Sequence, residues 1–327
     1  MKAILVNEDK SLSWTDVPDP VITSDEVLVK IEAAALNRAD LMQREGNYPP
    51  PPGCPQWMGL EIAGTIASMG ENAKKYSSWK IGDKVCALLG GGGYAEAVAV
   101  KYDMLMPIPK GFSVVQAAAM PEAYATAYLN LFWEAKAKAG ETLLMQAGAS
   151  GLASVVIPMA KAFGMRVITT VRSEEDKAAI THLGADVVLN TRITPLPEFL
   201  KAEAEDGRTV DVAIDCVGGS LMGQCLSYLS HGARWIMIAS LAGALTEINL
   251  RTVFVKNIRI LGSTLRSRKP EVKAQLLAEL CKNVWPLAES GKVCPTIYKT
   301  LPIIRAEEAQ DILYRGENVG KVVLTVE

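Results

Sequence analysis

The stretch Gln146–Pro158, QAGASGLASVVIP, decides how the rest of the chain is read. It follows an apolar run, TLLMQ, that fits a strand, and it opens an apolar run that fits a helix. That is the context a dinucleotide-binding loop requires. Gly148 and Gly151 let the backbone turn tightly and approach a pyrophosphate. A helix N-terminus offers unpaired N–H groups to such an anion, so Ser150 and Leu152 join the two glycines as loop contacts. Ala153 stands where a third glycine is usual, a replacement the fingerprint admits. Pro158 costs about 3 kcal/mol in a helix interior, and its distance from the loop predicts a tolerated kink beyond the anion site.

A glycine loop alone also fits a plain structural turn; its surroundings decide. TLLMQAG, RVITTV, DVVLN, VDVAIDCVG, ARWIMIAS and IRILGSTL begin near residues 142, 166, 186, 210, 233 and 258. Strand and helix patterns alternating at roughly 21–25 residues indicate a doubly wound parallel sheet, a Rossmann domain of about six strands. Before Pro109 the signals are short strands such as EVLVKIEAAAL and GLEIAGTIASMG, which predict a β-rich unit. GNYPPPPGCPQW, Gly46–Trp57, is too proline-rich for a helix or central strand and reads as a stiff surface loop. The tail, ending in GKVVLTVE, is too short for a domain and is expected to pack on the first unit. The predicted division is 1–118 with 262–327 for the β-rich domain and 119–261 for the Rossmann domain.

Composition narrows the partners. The chain has 327 residues, 49% hydrophobic, with a formal net charge of −2, which gives no reason to expect nucleic acid or an anionic membrane. No run approaches a membrane span, and MKAILVNEDKSLSW lacks a signal peptide's apolar core. Six scattered cysteines without a C-x-x-C pair fit reduced thiols in the cytoplasm. With only His182 and His231, a histidine triad or a histidine-rich metal site lacks material.

The end of the second Rossmann strand selects the coenzyme. An NAD site wants an acidic residue there to accept the ribose 2′-hydroxyl. Here VITT runs into Val171, Arg172 and Ser173, with Lys177 one turn on. Two cations and a hydroxyl favour a 2′-phosphate, hence NADPH. A capping role for Ser173, with acids on the helix dipole, is the bland alternative and leaves Arg172 unused.

On these residues the chain resembles the zinc-free quinone oxidoreductases of the medium-chain dehydrogenase/reductase superfamily, most closely the p53-inducible quinone oxidoreductase group. The segments that carry the resemblance are NRADLMQREGNYPPPPG, GLEIAG, Pro121 through Thr126, QAGASGL, STLRSR and NVGKVVL. It implies a GroES-like substrate domain beside the Rossmann domain, and NADPH as coenzyme. Ala153, Gln146, Arg172 and Pro158 depart from the group's pattern. Zinc alcohol dehydrogenases carry a cysteine where this chain has Asn37 and a G-H-E motif where it has Gly59-Leu60-Glu61; asparagine and leucine supply neither thiolate nor imidazole, so no metal is expected. Without metal, hydride passes from a nicotinamide to an electron-poor acceptor that needs only orientation and hydrogen bonds to its developing oxyanion.

The resemblance places Asn37, Arg38, Asp40 and Tyr48 around the substrate, with Tyr48 donating to the quinone oxygen. For Tyr48 the alternative is a packed loop aromatic, and for Asp40 a salt bridge with Arg38 or Arg44. Thr126 and the backbone of Ser263, Thr264, Leu265 and Arg266 should face the nicotinamide. Val217, Gly218 and Ser240 should line the coenzyme cleft, and Asn318 and Lys321 approach the phosphates; an exposed edge-strand charge is the alternative for Lys321. The expected function is NADPH-dependent reduction of quinones, ortho-quinones foremost, by a homodimer joined along the apolar strand IRILGSTL. The rivals are an enone or enoyl-thioester reductase and a non-enzymatic NADPH-binding sensor.

Overall fold

Strand alternation shapes the first hundred residues of the computed structural model, which describes the whole chain, Met1–Glu327. The strands are β1 (Lys2–Val6), β2 (Leu12–Asp16), β3 (Glu26–Ala35), β4 (Glu61–Met69), β5 (Lys84–Leu88), β6 (Ala97–Lys101) and β7 (Leu105–Pro107). Next come β8 (Thr142–Met145), β9 (Arg166–Val171), β10 (Val187–Asn190), β11 (Val210–Asp215), β12 (Leu229–Met237) and β13 (Arg259–Gly262). The chain closes with β14 (Ile297–Pro302) and β15 (Lys321–Thr325).

One compact unit comprises Met1–Ala125, Leu265–Gly291 and Pro295–Glu327. β1 and β2 form a hairpin; the rest form a seven-stranded sheet ordered β14-β15-β3-β4-β5-β7, with β6 also on β3. The C-terminal tail therefore completes this sheet, and β15 is an interior strand rather than an edge. Val27, Val29, Ile31, Ala33, Ile62 and Ile66 fill its buried face, as the period-2 pattern of EVLVKIEAAA requires. The helix Pro270–Glu289 belongs to this unit and sets Trp285 edge-on to Tyr124, ring centroids 6.1 Å apart. The Trp285 indole N–H donates to Pro107 O at 2.7 Å.

The other unit is Thr126–Thr264 with Lys292–Cys294, so the boundary falls inside the helix Pro121–Tyr128. Its sheet runs β10-β9-β8-β11-β12-β13, every pair parallel. Numbered along this unit, that is the order 3-2-1-4-5-6 of a Rossmann fold. Leu144, Ile168, Ala213, Leu226 and Trp235 are buried in one cluster, and the Trp235 indole donates to Asp215 Oδ2 at 3.0 Å. The helix after β8, Ala153–Ala162, continues through Pro158, the partly exposed position among buried neighbours. Ala153 is fully buried, so the small side chain at that point serves packing. No helix is long and apolar enough to cross a membrane.

Candidate active site

Parallel sheets bind ligands beyond the carboxyl ends of their strands; the residues of the glycine loop, Arg172, Val217, Gly218, Ser240, Ser263 and Thr264 follow those ends, whereas Leu265, Arg266, Asn318 and Lys321 belong to the other unit. Gly148 follows β8 and lies against β9. A Cβ on it would stand 2.5 Å from Thr169 Oγ1, so only glycine lets the loop lie this close. The loop is tied down from below: Gly148 N–H donates to Thr170 O at 2.7 Å and Ala147 N–H to Thr170 Oγ1 at 3.2 Å. Ala147 adopts a left-handed φ of 59°, rare for a residue with a Cβ. Ser150 Oγ accepts from Ala153 N–H at 3.1 Å and so caps the helix. The N–H groups of Gly151 and Leu152 have no acceptor in the chain. Gly148 thus shapes the cradle, while Gly151 and Leu152 hold the donors an anion would use.

At the end of β9, Arg172 is exposed and makes no side-chain hydrogen bond or ion pair within the chain. Ser173 caps the next helix, its Oγ accepting from Asp176 N–H at 3.0 Å. Lys177 lies 3.9 Å from Glu174 Oε2, a loose pair, and Asn190 ties Glu174 Oε1 to β10 at 2.8 Å. The capping reading of Ser173 holds, then, and it leaves the Arg172 guanidinium free. Val217 and Gly218 spend their N–H groups on Asp215 Oδ1, at 2.7 and 3.0 Å, so they form a rigid turn rather than ligand donors.

Met237, Ala239, Ser240, Gly262, Ser263 and Thr264 line a recess of about 330 Å³ at the ends of β12 and β13. Ser263 Oγ is buried there without a hydrogen-bond partner, as is Gln146 Nε2 at the start of the glycine loop. Unsatisfied buried polar atoms ask for a polar ligand. Together with the glycine cradle they fit a nicotinamide dinucleotide. A larger recess of about 570 Å³, lined by His231, Phe254 and Arg259, opens at the amino ends of the same strands, the wrong end for a coenzyme.

The other unit holds the residues expected around the substrate. Asn37 follows the end of β3 by two residues and is the N-cap of the helix Arg38–Arg44. The Asp40 carboxylate accepts from Asn37 N–H at 2.8 Å, Gly59 N–H at 3.1 Å and the Tyr94 hydroxyl at 3.0 Å. Gly59 has φ of 103°, and a Cβ there would meet the Gly93 and Tyr94 backbone at 2.6 Å, so glycine is required where Asp40 is gripped. Burial pushes the Asp40 carboxyl up to about 6, the three donors opposing the rise. Asp40 is a buried brace, and Arg44, one of its two alternative partners, pairs instead with Glu307. Arg38 is exposed.

Tyr48 is half-buried in the proline-rich loop, and the Arg266 guanidinium lies 4.8 Å from its ring centroid. Arg266 donates to Gly90 O at 2.9 Å, Tyr48 O at 3.1 Å and Gln43 Oε1 at 2.7 Å. Its side chain therefore staples the Tyr48 loop, a role the sequence reading did not give it. Burial holds the Tyr48 phenol above its ordinary range, with Arg266 pulling down and Glu122 pushing up. The phenol is a donor at neutral pH.

Between these groups lies a buried charge pair. The Lys321 ammonium meets Glu61 Oε1 at 2.6 Å and donates to Leu36 O and Asn37 Oδ1, both at 2.7 Å. Glu61 also accepts from the Asn37 amide at 2.9 Å and from Glu122 N–H at 2.8 Å. Lys321 is neither an edge-strand charge nor open to a phosphate; it is the counter-ion of Glu61, its three protons committed. Asn318 likewise turns its amide onto Gly320 O at 2.7 Å. Thr126 O accepts from Asn130 Nδ2 at 2.7 Å inside its helix turn, and Leu265 is buried. No group of three His, Cys, Asp or Glu is arranged to hold a metal ion.

A Rossmann sheet with a glycine cradle and a GroES-like sheet with an acid–base cluster define an oxidoreductase that works with a nicotinamide coenzyme. Residues 23–110 match the alcohol dehydrogenase GroES-like domain and residues 151–282 the family described as zinc-binding dehydrogenase. The chain is 33% identical to mouse quinone oxidoreductase over 95% of its length and 92% of that protein, and 31% identical to the human one over the same shares. The quinone oxidoreductase of Thermus thermophilus, solved alone and with NADPH, superposes with a TM-score of 0.82 at 29% identity, covering 99% of this chain and 100% of that one. The chain belongs to the medium-chain dehydrogenase/reductase superfamily, in its zinc-free quinone oxidoreductase family.

Proposed function

We propose that this enzyme reduces quinones, ortho-quinones foremost, with NADPH and without a metal ion. The observation that carries the reading is the Tyr48 phenol, kept protonated and braced by Arg266, in a unit without a metal-binding cluster. A bound reduced nicotinamide supplies the hydride. The chain's own residues do the rest. Gly151 and Leu152 N–H groups receive the pyrophosphate, and Arg172 with Lys177 receives the 2′-phosphate. Ser263 Oγ offers a hydrogen bond to the nicotinamide end. Tyr48 donates to the quinone oxygen as it becomes anionic. Asp40 and the Lys321–Glu61 pair fix the backbone from which Asn37 and Arg38 project.

The apolar residues Leu250, Phe254 and Val255 are exposed, and so is Ile260 on the edge strand β13. That edge supports a homodimer paired along β13. Six free cysteines support a reducing, cytoplasmic setting.

The test is NADPH consumption against ortho- and para-quinones, simple enones and an enoyl thioester. Turnover should be greatest with quinones. Preference for the thioester would replace this reading with an enoyl reductase, and binding without oxidation would replace it with a sensor.

A further inference from the structure

Gln146 is 1% exposed, and its Nε2 is buried without a hydrogen-bond partner. The surrounding sheet shows why. Met145 pairs with Thr169 of β9 and with Ile214 of β11, so Gln146 lies one step further along, level with Thr170 and Asp215. Its own N–H continues the ladder, donating to Ile214 O at 3.1 Å. Leu144, Ile168 and Ala213 share one buried cluster, and strand alternation puts Gln146, Thr170 and Asp215 on that same face two residues later. Both neighbours are acceptors already in use. Asp215 Oδ1 takes the N–H groups of Val217 and Gly218, and Oδ2 takes the Trp235 indole. Thr170 Oγ1 takes Ala147 N–H. The chain then leaves the strand at once, through the left-handed Ala147.

A buried donor with no acceptor destabilises the fold that holds it, so an orphan here points to a ligand that supplies the acceptor. The position is specific. β8 and β11 are the first and fourth strands in Rossmann numbering, and the crevice between them is the switch point at which the sheet order reverses. A dinucleotide crosses an open α/β sheet there. We propose that Gln146 is a coenzyme-binding residue whose Nε2 donates to an oxygen of the pyrophosphate–ribose core that NADPH and NADH share. It contributes affinity without telling the two coenzymes apart, the complement of Arg172. The coenzyme-free fold is the less stable for holding an unused donor. The inference rests on one part of the reading above, that a nicotinamide dinucleotide lies across the crevice between β8 and β11.

Gln146→Met keeps the length of the side chain and nearly its volume, and removes the donor. In the coenzyme-free protein the thermal midpoint should rise by about 2–4 °C, because the substitution removes an unpaired donor and no bond. Fluorescence titration should show the Kd of NADPH and that of NADH each weakened about tenfold. Arg172→Ala, run alongside, should weaken NADPH alone. Gln146→Glu, the same shape with an acceptor in place of the donor, should weaken both coenzymes at least as much as Gln146→Met. An amide that is merely structural, paired within the fold or with an internal water, predicts the opposite split, a lower midpoint with unchanged affinities. That result, a loss confined to one coenzyme, or a Gln146→Met protein that fails to fold would overturn the proposal. None of these measurements needs a quinone. Wild-type protein that binds neither coenzyme would overturn the dinucleotide reading, and the proposal with it.

Discussion

Replacing Lys321 with methionine tests the buried pair most sharply. The ammonium meets Glu61 Oε1 at 2.6 Å, and the partners are 4% and 0% exposed, so neither charge can turn to water. Removing the cation strands the Glu61 carboxylate and leaves Leu36 O and Asn37 Oδ1 without their donor. Breaking a buried pair from one side costs about 3–5 kcal/mol, because the remaining charge is uncompensated. Lys321→Met should therefore lose that much in urea unfolding. Two compact units need not unfold together, so hydrogen exchange of β3, β4 and β15 amides should be followed beside circular dichroism. The loss should appear in those strands, with β8 to β13 unaffected. Adding Glu61→Gln removes the stranded charge, and the double variant should recover to within about 1–2 kcal/mol of wild type. A single variant within about 1 kcal/mol of wild type, or a double variant as weak as the single, would show that the pair does not hold this sheet.

Arg172→Ala should lower kcat/KM for NADPH by about tenfold to a hundredfold while leaving NADH nearly unchanged, since only the 2′-phosphate uses the free guanidinium; equal loss with both coenzymes would remove Arg172 from that role. Tyr48→Phe should lower quinone turnover, by up to about 2.7–4 kcal/mol in the barrier, with NADPH affinity constant by fluorescence titration. An unchanged rate would return Tyr48 to packing. Activity should survive exhaustive chelation, and elemental analysis should find no stoichiometric zinc, because Asn37 and Leu60 stand where ligands would; loss with chelator and recovery with zinc would refute this.

The Rossmann half was legible because periodicity and glycines report backbone geometry directly. The strand runs from TLLMQAG to IRILGSTL all appear as strands, and Arg172 is as free as its neighbours suggested. The substrate side was less legible, because pairing there crosses long sequence distances. Nothing local in NVGKVVL says that Lys321 ends beside Glu61; that follows from β15 and β4 both flanking β3. A clue was present: Glu61 and Lys321 are lone opposite charges, each bordering an apolar strand, and a charge in such a place needs a partner. Arg266 was read for its backbone, yet its side chain braces Tyr48.

The seven-stranded sheet that holds Glu61 and Lys321 has a temporal consequence. Apart from Lys292–Cys294, the Rossmann unit ends at Thr264, so nearly all of it has left the ribosome before β14 and β15 are synthesised. The first unit is begun earlier but finished last, since its sheet waits for strands some three hundred residues downstream of β1. Until Lys321 arrives, β4 carries an unneutralised carboxylate in an apolar setting. Such long-range closure is slow and leaves strand edges open in the meantime. The nascent chain is thus expected to hold an ordered Rossmann half beside an unfinished β-rich one, and chaperone engagement should fall on the half that was translated first.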